Sequence, residues 1–179
     1  WNLVTLTKQN VKIEGKIKLI GIDGNQITSV KMKDMEDLIS LGLKNNKLTE
    51  IDLSGAPALK RVSVGKNMLE ALDLSNNTFL FQVYAYGNKI KGEKMTALVN
   101  SLPGGTASEL FLVDKTLENE ENVATKADVQ IARNKGWNVF NYQGGSYTIY
   151  DGEGGIGIEF INQRAIEVNQ NAGSDYATL

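Results

Sequence analysis

The sequence predicts a solenoid, in which successive coils of the chain each add one short strand to a parallel sheet. Four asparagines, Asn25, Asn46, Asn67 and Asn88, lie 21 residues apart. Apolar residues recur eight, five and three residues before each asparagine and two, five and seven residues after it. Of these 24 positions, 23 are apolar, with Glu93 as the exception, in a chain that is 41% hydrophobic. A fixed period of this length is the signature of a repeat architecture.

The repeated asparagines have a physical role in such a coil. Where the chain leaves a strand and turns, its backbone N–H and C=O groups lose their partners in the sheet. A buried side-chain amide, with two donor hydrogens and an acceptor oxygen, can satisfy them. We therefore expect Asn25, Asn46, Asn67 and Asn88 to form a ladder of structural amides.

The repeat array is predicted to occupy residues 17–143. Its regular part, residues 17–95, holds four repeats, at 17–37, 38–58, 59–79 and 80–95. Residues 1–16 contain two short β-rich stretches, and we expect them to cap the unpaired edge of the first coil. The alternative is that they are the tail of an upstream domain.

Two irregular coils are predicted to follow. An i, i+3, i+4, i+7 spacing of apolar residues from Met95 to Leu102 predicts an amphipathic helix, which Pro103 and the next two glycines end. Residues 109–114 are predicted to form a fifth strand. Its sequence leaves open whether Leu110 and Leu112 or Phe111 and Val113 face the core.

The next segment, residues 117–123, is acidic, and we interpret it as a solvated loop, with a cation site as the alternative. Thr125 and Asp128 have the spacing of a helix N-cap, which predicts a helix to about Lys135. Gly136 suits the left-handed position that ends such a helix. Residues 137–142 are predicted to form a sixth strand.

Residues 144–179 do not fit the repeat. Three β-like stretches, 147–150, 156–161 and 165–168, are separated by turns. We interpret them as an antiparallel meander that caps or extends the C-terminal end. Asp151 and Glu153 lie in the first turn, but they offer too few oxygen ligands for a recognised calcium loop.

Along each predicted strand, the side chains that alternate with the core-facing ones should lie on the concave face of the sheet. They vary from repeat to repeat, and variable side chains on a regular scaffold are how solenoids recognise partners. The candidate contact residues are Lys44, Arg61, Gln82, Tyr84 and Tyr86. For the two tyrosines the alternative is that they pack beneath the next segment as the array closes.

Composition narrows the possible functions. The net charge of −2 and a pI of about 5.3 do not indicate a nucleic-acid binder. The chain has no Cys and no His, so thiolate chemistry is excluded and the commonest general base and metal ligand are absent. No apolar run approaches the roughly 20 residues that span a bilayer, and we expect no cofactor and no metal site.

Enzymatic chemistry would have to use carboxylates. Asp52 and Asp73 recur one repeat apart, each followed by Leu-Ser. Their spacing across neighbouring strands, about 5 Å, would suit a glycosidase pair. Repeat geometry explains them better, as polar residues beside the buried leucines or as caps of a turn, and we expect the protein not to be an enzyme.

The amino-acid sequence of the repeats resembles the leucine-rich repeat family, and more narrowly the 21-residue repeats of internalin-like surface proteins from Bacteroides-type bacteria. The resemblance lies in the segments 43–57 and 69–77, in the closing segment 95–103 and in residues 124–128 with 136–139. It implies an α/β-type leucine-rich repeat solenoid, a right-handed coil bent into a horseshoe. The concave side would carry the parallel sheet. The convex side would be mostly irregular or 3-10, with two helices near the C-terminal end and β-rich caps.

The resemblance also implies a function: a non-enzymatic module of an exported protein that binds a protein or glycan at the cell surface or in the secreted state, in adhesion or recognition. The chain begins at Trp1, and we expect its export signal to have been removed. The alternatives are a structural spacer of a larger surface protein and, more distantly, a carboxylate enzyme. We expect a monomer, although an imperfectly capped end could pair with another copy.

Overall fold

The computed structural model describes residues 16–154, which form one seven-stranded, mostly parallel sheet with two helices. The strands lie in the sheet in the order in which they occur in the chain. Strands β1 to β6 are parallel, and β7 is antiparallel to β6. The elements are β1 (Leu19–Gly21), β2 (Ser40–Gly42), β3 (Arg61–Ser63), β4 (Gln82–Tyr84), α1 (Glu93–Ser101), β5 (Ser108–Val113), α2 (Lys126–Asn134), β6 (Trp137–Gln143) and β7 (Ser146–Ile149).

The register of the sheet follows the 21-residue period through β4 and then lengthens. Leu41 lies beside Val62, and Val62 beside Val83, so each partner is 21 residues further along the chain. The next pairs are Val83 with Leu110 and Leu110 with Val139, which are offsets of 27 and 29 residues. The extra residues hold α1 and α2, which connect these strands as helical crossovers.

One continuous hydrophobic core lies on one side of the sheet. The inward-facing residues of each repeat are stacked in it, and Leu38, Leu59 and Leu80 are at most 3% exposed. In the first repeat, residues such as Ile20 and Ile22 pack against this core but stay only partly buried. The predicted N-terminal cap, residues 1–16, lies almost wholly outside the described residues.

The structure shows which residues of β5 face the main core. Leu110 and Leu112 belong to the main core, and Phe111 lies on the opposite face of the sheet. Val113 returns to the main core because the register shifts between Phe111 and Val113. A local bulge of this kind changes the face to which a side chain points.

The two helices follow their local sequence signals. In α1, Met95, Leu98 and Val99 are buried against the core. In α2, the Thr125 side chain accepts a hydrogen bond from the backbone of Asp128, whose carboxylate accepts from the backbone of Thr125. This reciprocal capping box satisfies two backbone donors at the helix start.

The glycine after α2 is required by its surroundings. Gly136 has a φ of +87°, and a Cβ at this position would collide with the carbonyl group of Gly105. The close approach lets Gly105 N–H donate to the Lys135 carbonyl oxygen, which ties the end of α2 to the loop before β5.

The C-terminal part of the described chain is a hairpin. Strand β7 pairs with β6 from Phe140–Ile149 to Gln143–Ser146, and its four residues are exposed. Tyr150, which follows it, is buried and donates from its hydroxyl to the Ala124 carbonyl oxygen. The predicted stretches at 156–161 and 165–168 lie outside the described residues. Neither helix within residues 16–154 is long and apolar enough to cross a membrane.

Candidate functional site

The face of the sheet that points away from the main core, here called the open face, carries three rows of side chains across the strands. The first row is Leu19, Ser40, Arg61, Gln82 and Glu109, and the second is Gly21, Gly42, Ser63, Tyr84, Phe111 and Phe140. The third, just after the strands, is Asp23, Lys44, Gly65 and Tyr86. All five predicted contact residues lie in these rows.

The C-terminal half of the open face is aromatic. Tyr84 stacks on Phe111 with ring centroids 4.3 Å apart and planes 2° apart, and Phe111 stacks on Phe140 at 5.2 Å. Tyr147 from β7 packs edge-on against Phe111 and Phe140. Offset and edge-on aromatic pairs each add about 0.5–1.5 kcal/mol beyond the area they bury. The cluster therefore holds β4 to β7 together on the side opposite the main core.

The expectation that Tyr86 is an exposed contact is wrong. Its side chain is 1% exposed, and its ring stacks on Tyr142 with centroids 4.5 Å apart. The ring also lies over Gly65, where a Cβ would come within 3.1 Å of it. Tyr86 thus packs beneath a later segment of the chain, and burial raises the pKa of its phenol well above the ordinary value of 10.0.

Lys44 is the cation beside this buried pair. Its Nζ lies 5.9 Å from the ring centroids of both Tyr86 and Tyr142, within the range of a cation–π contact. Its backbone N–H donates to the Asp23 carboxylate at 2.8 Å. The ammonium group is therefore held at the edge of the aromatic cluster on the side of β2.

Tyr84 and Arg61 act together at the centre of the face. Tyr84 is half-buried, and burial raises the pKa of its phenol, with a smaller contribution from the charge of Glu109. The positive charge of Arg61 opposes this shift and lowers the pKa of the Tyr84 phenol. Arg61 itself is exposed. Gln82 donates from Nε2 to Glu109 Oε2 in the same row, so its amide is already engaged.

A trough of about 210 Å³ lies on the N-terminal half of the open face. Small residues of β1, β2 and β3 form its floor, Leu19 stands at one end and Tyr84 at the other. Arg61 is the one charged residue among those that line it, and Ser40, Ser63 and Tyr84 carry the hydroxyl groups. Of the predicted contact residues, the structure thus brings Arg61 and Tyr84 to the trough, and places Lys44, Gln82 and Tyr86 outside its lining.

The asparagines at the turns use their amides in one shared way. Asn67 Nδ2 donates to the carbonyl oxygens of Leu43 and Val64, both at 2.9 Å, while its Oδ1 accepts from Leu48 N–H at 3.0 Å. Asn46 and Asn88 make the equivalent bonds in their own repeats. Asn25 is exposed, and its backbone N–H donates to Asn46 Oδ1. These amides serve the backbone and not a ligand.

Sequence reasoning missed one further amide of this kind. Asn122 Nδ2 donates to the carbonyl oxygens of Ala85 and Leu112, both at 2.8 Å, and its Oδ1 accepts from Ile90 N–H. It lies 34 residues after Asn88 instead of 21, because the segments before and after β5 are longer than the corresponding segments of the regular repeats. The signal that could have found it is the apolar residue two positions later, Ala124, which is fully buried.

The acidic segment is not simply a solvated loop. Glu120 Oε2 accepts hydrogen bonds from the N–H groups of Gly87 and Asp114, and its Oε1 accepts from Asn122 N–H. Burial raises the pKa of this carboxyl group, although the three donors favour its charged form. Glu121 pairs at the surface with Lys89 and Lys91. The loop is thus fastened to the turn of the preceding repeat by a structural carboxylate.

The other acidic residues singled out from the sequence also have protein partners. Asp52 and Asp73 each accept at 2.9 Å from the backbone N–H two residues later, as turn caps. The Ser54 side chain and, to a smaller extent, the Ser54 backbone N–H hold the pKa of Asp52 below its usual value. Asp151 pairs with Arg133 at 2.7 Å, and Glu153 with Lys115 at 2.9 Å. Within residues 16–154, no three acidic residues come together as a metal site would require.

Comparison with known proteins adds no assignment. No protein-family model matches the chain, and no curated protein sequence matches it significantly.

Proposed function

We propose that the chain is a leucine-rich repeat solenoid of the α/β type, with the open face as its concave side. The constant 21-residue register of β1 to β4 supports this, because each repeat then adds one strand in the same place. The amide ladder, which runs from Asn46 to Asn122 across the change of period, supports it further. In this proposal α1 and α2 replace the irregular convex segments of the last repeats.

We further propose that this solenoid is a non-enzymatic binding module of an exported bacterial surface protein, which recognises a protein or glycan outside the cell. The trough on the open face carries the proposal. An exposed arginine and a half-exposed tyrosine meet there over a floor of small residues. Arg and Tyr are enriched among the residues that dominate binding energy.

The proposal is tested by probing an array of extracellular proteins and glycans with the wild-type chain and the variant Arg61→Glu. Arg61 is exposed, so the variant should keep the wild-type melting temperature. We expect at least one partner of the wild type, bound roughly tenfold or more weakly by the variant, as is usual for loss of a central contact. Lys33→Glu, which makes the same charge change outside the strands, is the matched control and should bind like the wild type.

Two results would contradict the proposal. Partners bound equally well by the wild type and by Arg61→Glu would place recognition away from the open face. A folded chain that captures nothing would favour a structural spacer instead.

A further inference from the structure

The aromatic row on the open face ends at Tyr84, and beyond it the same row carries only small residues, here called the lane. The Asp23 carboxylate borders the lane, with Oδ1 3.2 Å from where a Cβ of Gly42 would lie. Phe111 covers one face of the Tyr84 ring. On the other side the same row continues as Ser63, Gly42 and Gly21. Neighbouring strands are about 4.8 Å apart, so the lane from Tyr84 to Gly21 is roughly 14 Å long. This length suits a few residues of an extended ligand.

In the first three repeats, basic and acidic residues are segregated between two sets of segments, although the whole chain is close to neutral. In the first three repeats, the strand-side segments 17–24, 38–45 and 59–66 carry five basic residues and one acidic residue: Lys18, Lys44, Lys60, Arg61 and Lys66, against Asp23. The remaining segments, 25–37, 46–58 and 67–79, carry three basic and seven acidic residues: Lys31, Lys33 and Lys47, against Asp34, Glu36, Asp37, Glu50, Asp52, Glu70 and Asp73. Of these residues, Arg61 and Lys44, against Asp23, lie in the rows of the open face, and Lys18, Lys60 and Lys66 flank the strands in the chain. The strand side of these repeats therefore carries a net positive charge, which is complementary to an anionic ligand.

The positive charge of Arg61 is available to pair with an anionic ligand. It takes part in none of the ion pairs found among residues 16–154. Arg61 and Tyr84 both line the trough. A planar guanidinium binds a carboxylate through two parallel hydrogen bonds, which fix orientation as well as adding energy.

The trough lining distinguishes between classes of anionic ligand. Leu19 and the Tyr84 ring are the apolar side chains that face the trough, because Ile20, Leu41 and Val62 turn their side chains to the main core. Its polar groups are the hydroxyls of the two serines and Tyr84 and the Arg61 guanidinium. A sugar chain or a nucleobase would lose more hydrogen bonds to water than these few groups could replace. An apolar side chain has no such cost, and an aromatic ring could continue the Tyr84–Phe111 stack.

We propose that the trough binds an acidic, aromatic segment of a partner protein. One aromatic side chain of the segment lies in the lane against the free face of Tyr84, and a neighbouring carboxylate pairs with Arg61. The inference rests on the proposed function and specifies the chemical class of the partner.

The test uses a random copolymer of glutamate and tyrosine as the probe, titrated calorimetrically into the full chain. Polyglutamate, polygalacturonate and a short oligothymidylate are the comparison ligands. Ser63→Tyr fills the lane from within, and Arg61→Gln removes the cation. Ala71→Tyr and Lys33→Gln make the same two changes at exposed positions outside the strands. Circular dichroism melting of each variant verifies its fold.

We expect the copolymer to bind, and to bind roughly tenfold or more tightly than polyglutamate, because the ring adds a central contact. Ser63→Tyr and Arg61→Gln should each weaken copolymer binding by a similar factor, while both controls leave it unchanged. Equal affinity for polyglutamate and the copolymer would overturn the role of the lane. Unchanged binding by Ser63→Tyr would do the same.

Failure of this inference is distinguishable from failure of the proposed function. Preference for polygalacturonate or oligothymidylate, abolished by the two lane variants, would overturn the acidic protein segment and leave recognition by the open face in place. Binding of none of the four ligands would also overturn the inference, while the array with Arg61→Glu would still decide the proposed function.

Discussion

At the scale of single residues, chemically similar side chains in equivalent positions have different roles because their burial differs. Asn67 and Asn88 are enclosed between repeats, whereas Asn25 is exposed in the first one. Tyr84 ends β4 and Tyr86 follows two residues later on the same face of the sheet, yet Tyr86 is covered by Tyr142 and Tyr84 lines the trough. The sequence period identifies the positions, and contacts from outside the period decide which of them are accessible.

The ladder amides should therefore differ in their effect on stability. Asn122→Ala removes two donated bonds and leaves the Ile90 N–H without its acceptor, so we expect the free energy of unfolding to fall by about 1–3 kcal/mol. Asn67→Ala should cost a similar amount. Asn25→Ala is the control and should cost much less, because water can replace its side chain. Urea denaturation of the three variants measures this, and an equal loss for Asn25 and Asn122 would contradict a buried ladder.

At the scale of elements, the loop between β5 and α2 shows how an irregular insertion is accommodated. It reaches over the turn of the preceding repeat, where Leu117 lies within 3.1 Å of the Cβ that Gly87 lacks. The Glu120 carboxylate supplies acceptors for three backbone N–H groups there. The loop is thus ordered by hydrogen bonds that the repeat itself does not provide.

Replacing that carboxylate should unfasten the loop. We expect Glu120→Ala to lower the free energy of unfolding by about 1–3 kcal/mol near neutral pH, because three backbone donors lose their partner. Glu118→Ala, an exposed change in the same loop, should have little effect. Chemical denaturation near neutral pH measures both, and equal losses would contradict the structural role.

Because Glu120 titrates, the difference in unfolding free energy between the wild type and Glu120→Ala should depend on pH. Burial raises its pKa above the ordinary value of 4.5, so the folded chain binds the proton more tightly than the unfolded chain does. Its contribution to stability is then complete below pH 4.5 and falls as the pH rises through the folded pKa. The stability difference between wild type and Glu120→Ala should accordingly shrink from pH 4 to pH 7. A difference that grows over this range would show that the three donors outweigh burial.

A helix or strand can be predicted from the sequence where the residues that determine it lie close together in the chain. The capping pair Thr125 and Asp128 and the terminal Gly136 lie close together in the chain, and both ends of α2 follow from them. The faces of β5 depend on a bulge against β6, which no spacing within β5 reveals. Asn122 was hidden for a related reason, because the added residues on both sides of β5 break the 21-residue count.

At the scale of the whole molecule, the parallel sheet and its two helices were predicted, and the placement of the site was predicted only in part. Arg61 and Tyr84 reach the trough as the repeat positions suggested. The burial of Tyr86 arises from Phe111, Tyr142 and their neighbours, whose strands are irregular in period. The segregation of charge between the strand side and the other segments appears only when the repeats are aligned in register.

The central claim is that the open face is the recognition surface, and hydroxyl-radical footprinting with a captured partner tests it most directly. Leu19 and the trough-lining Tyr84 lie on this face, whereas Phe79 and Met68 are exposed outside the strands. We predict that the partner protects Leu19 and Tyr84 from oxidation and leaves Phe79 and Met68 as reactive as in the free chain. Protection of Phe79 and Met68, with Leu19 and Tyr84 unchanged, would contradict the claim.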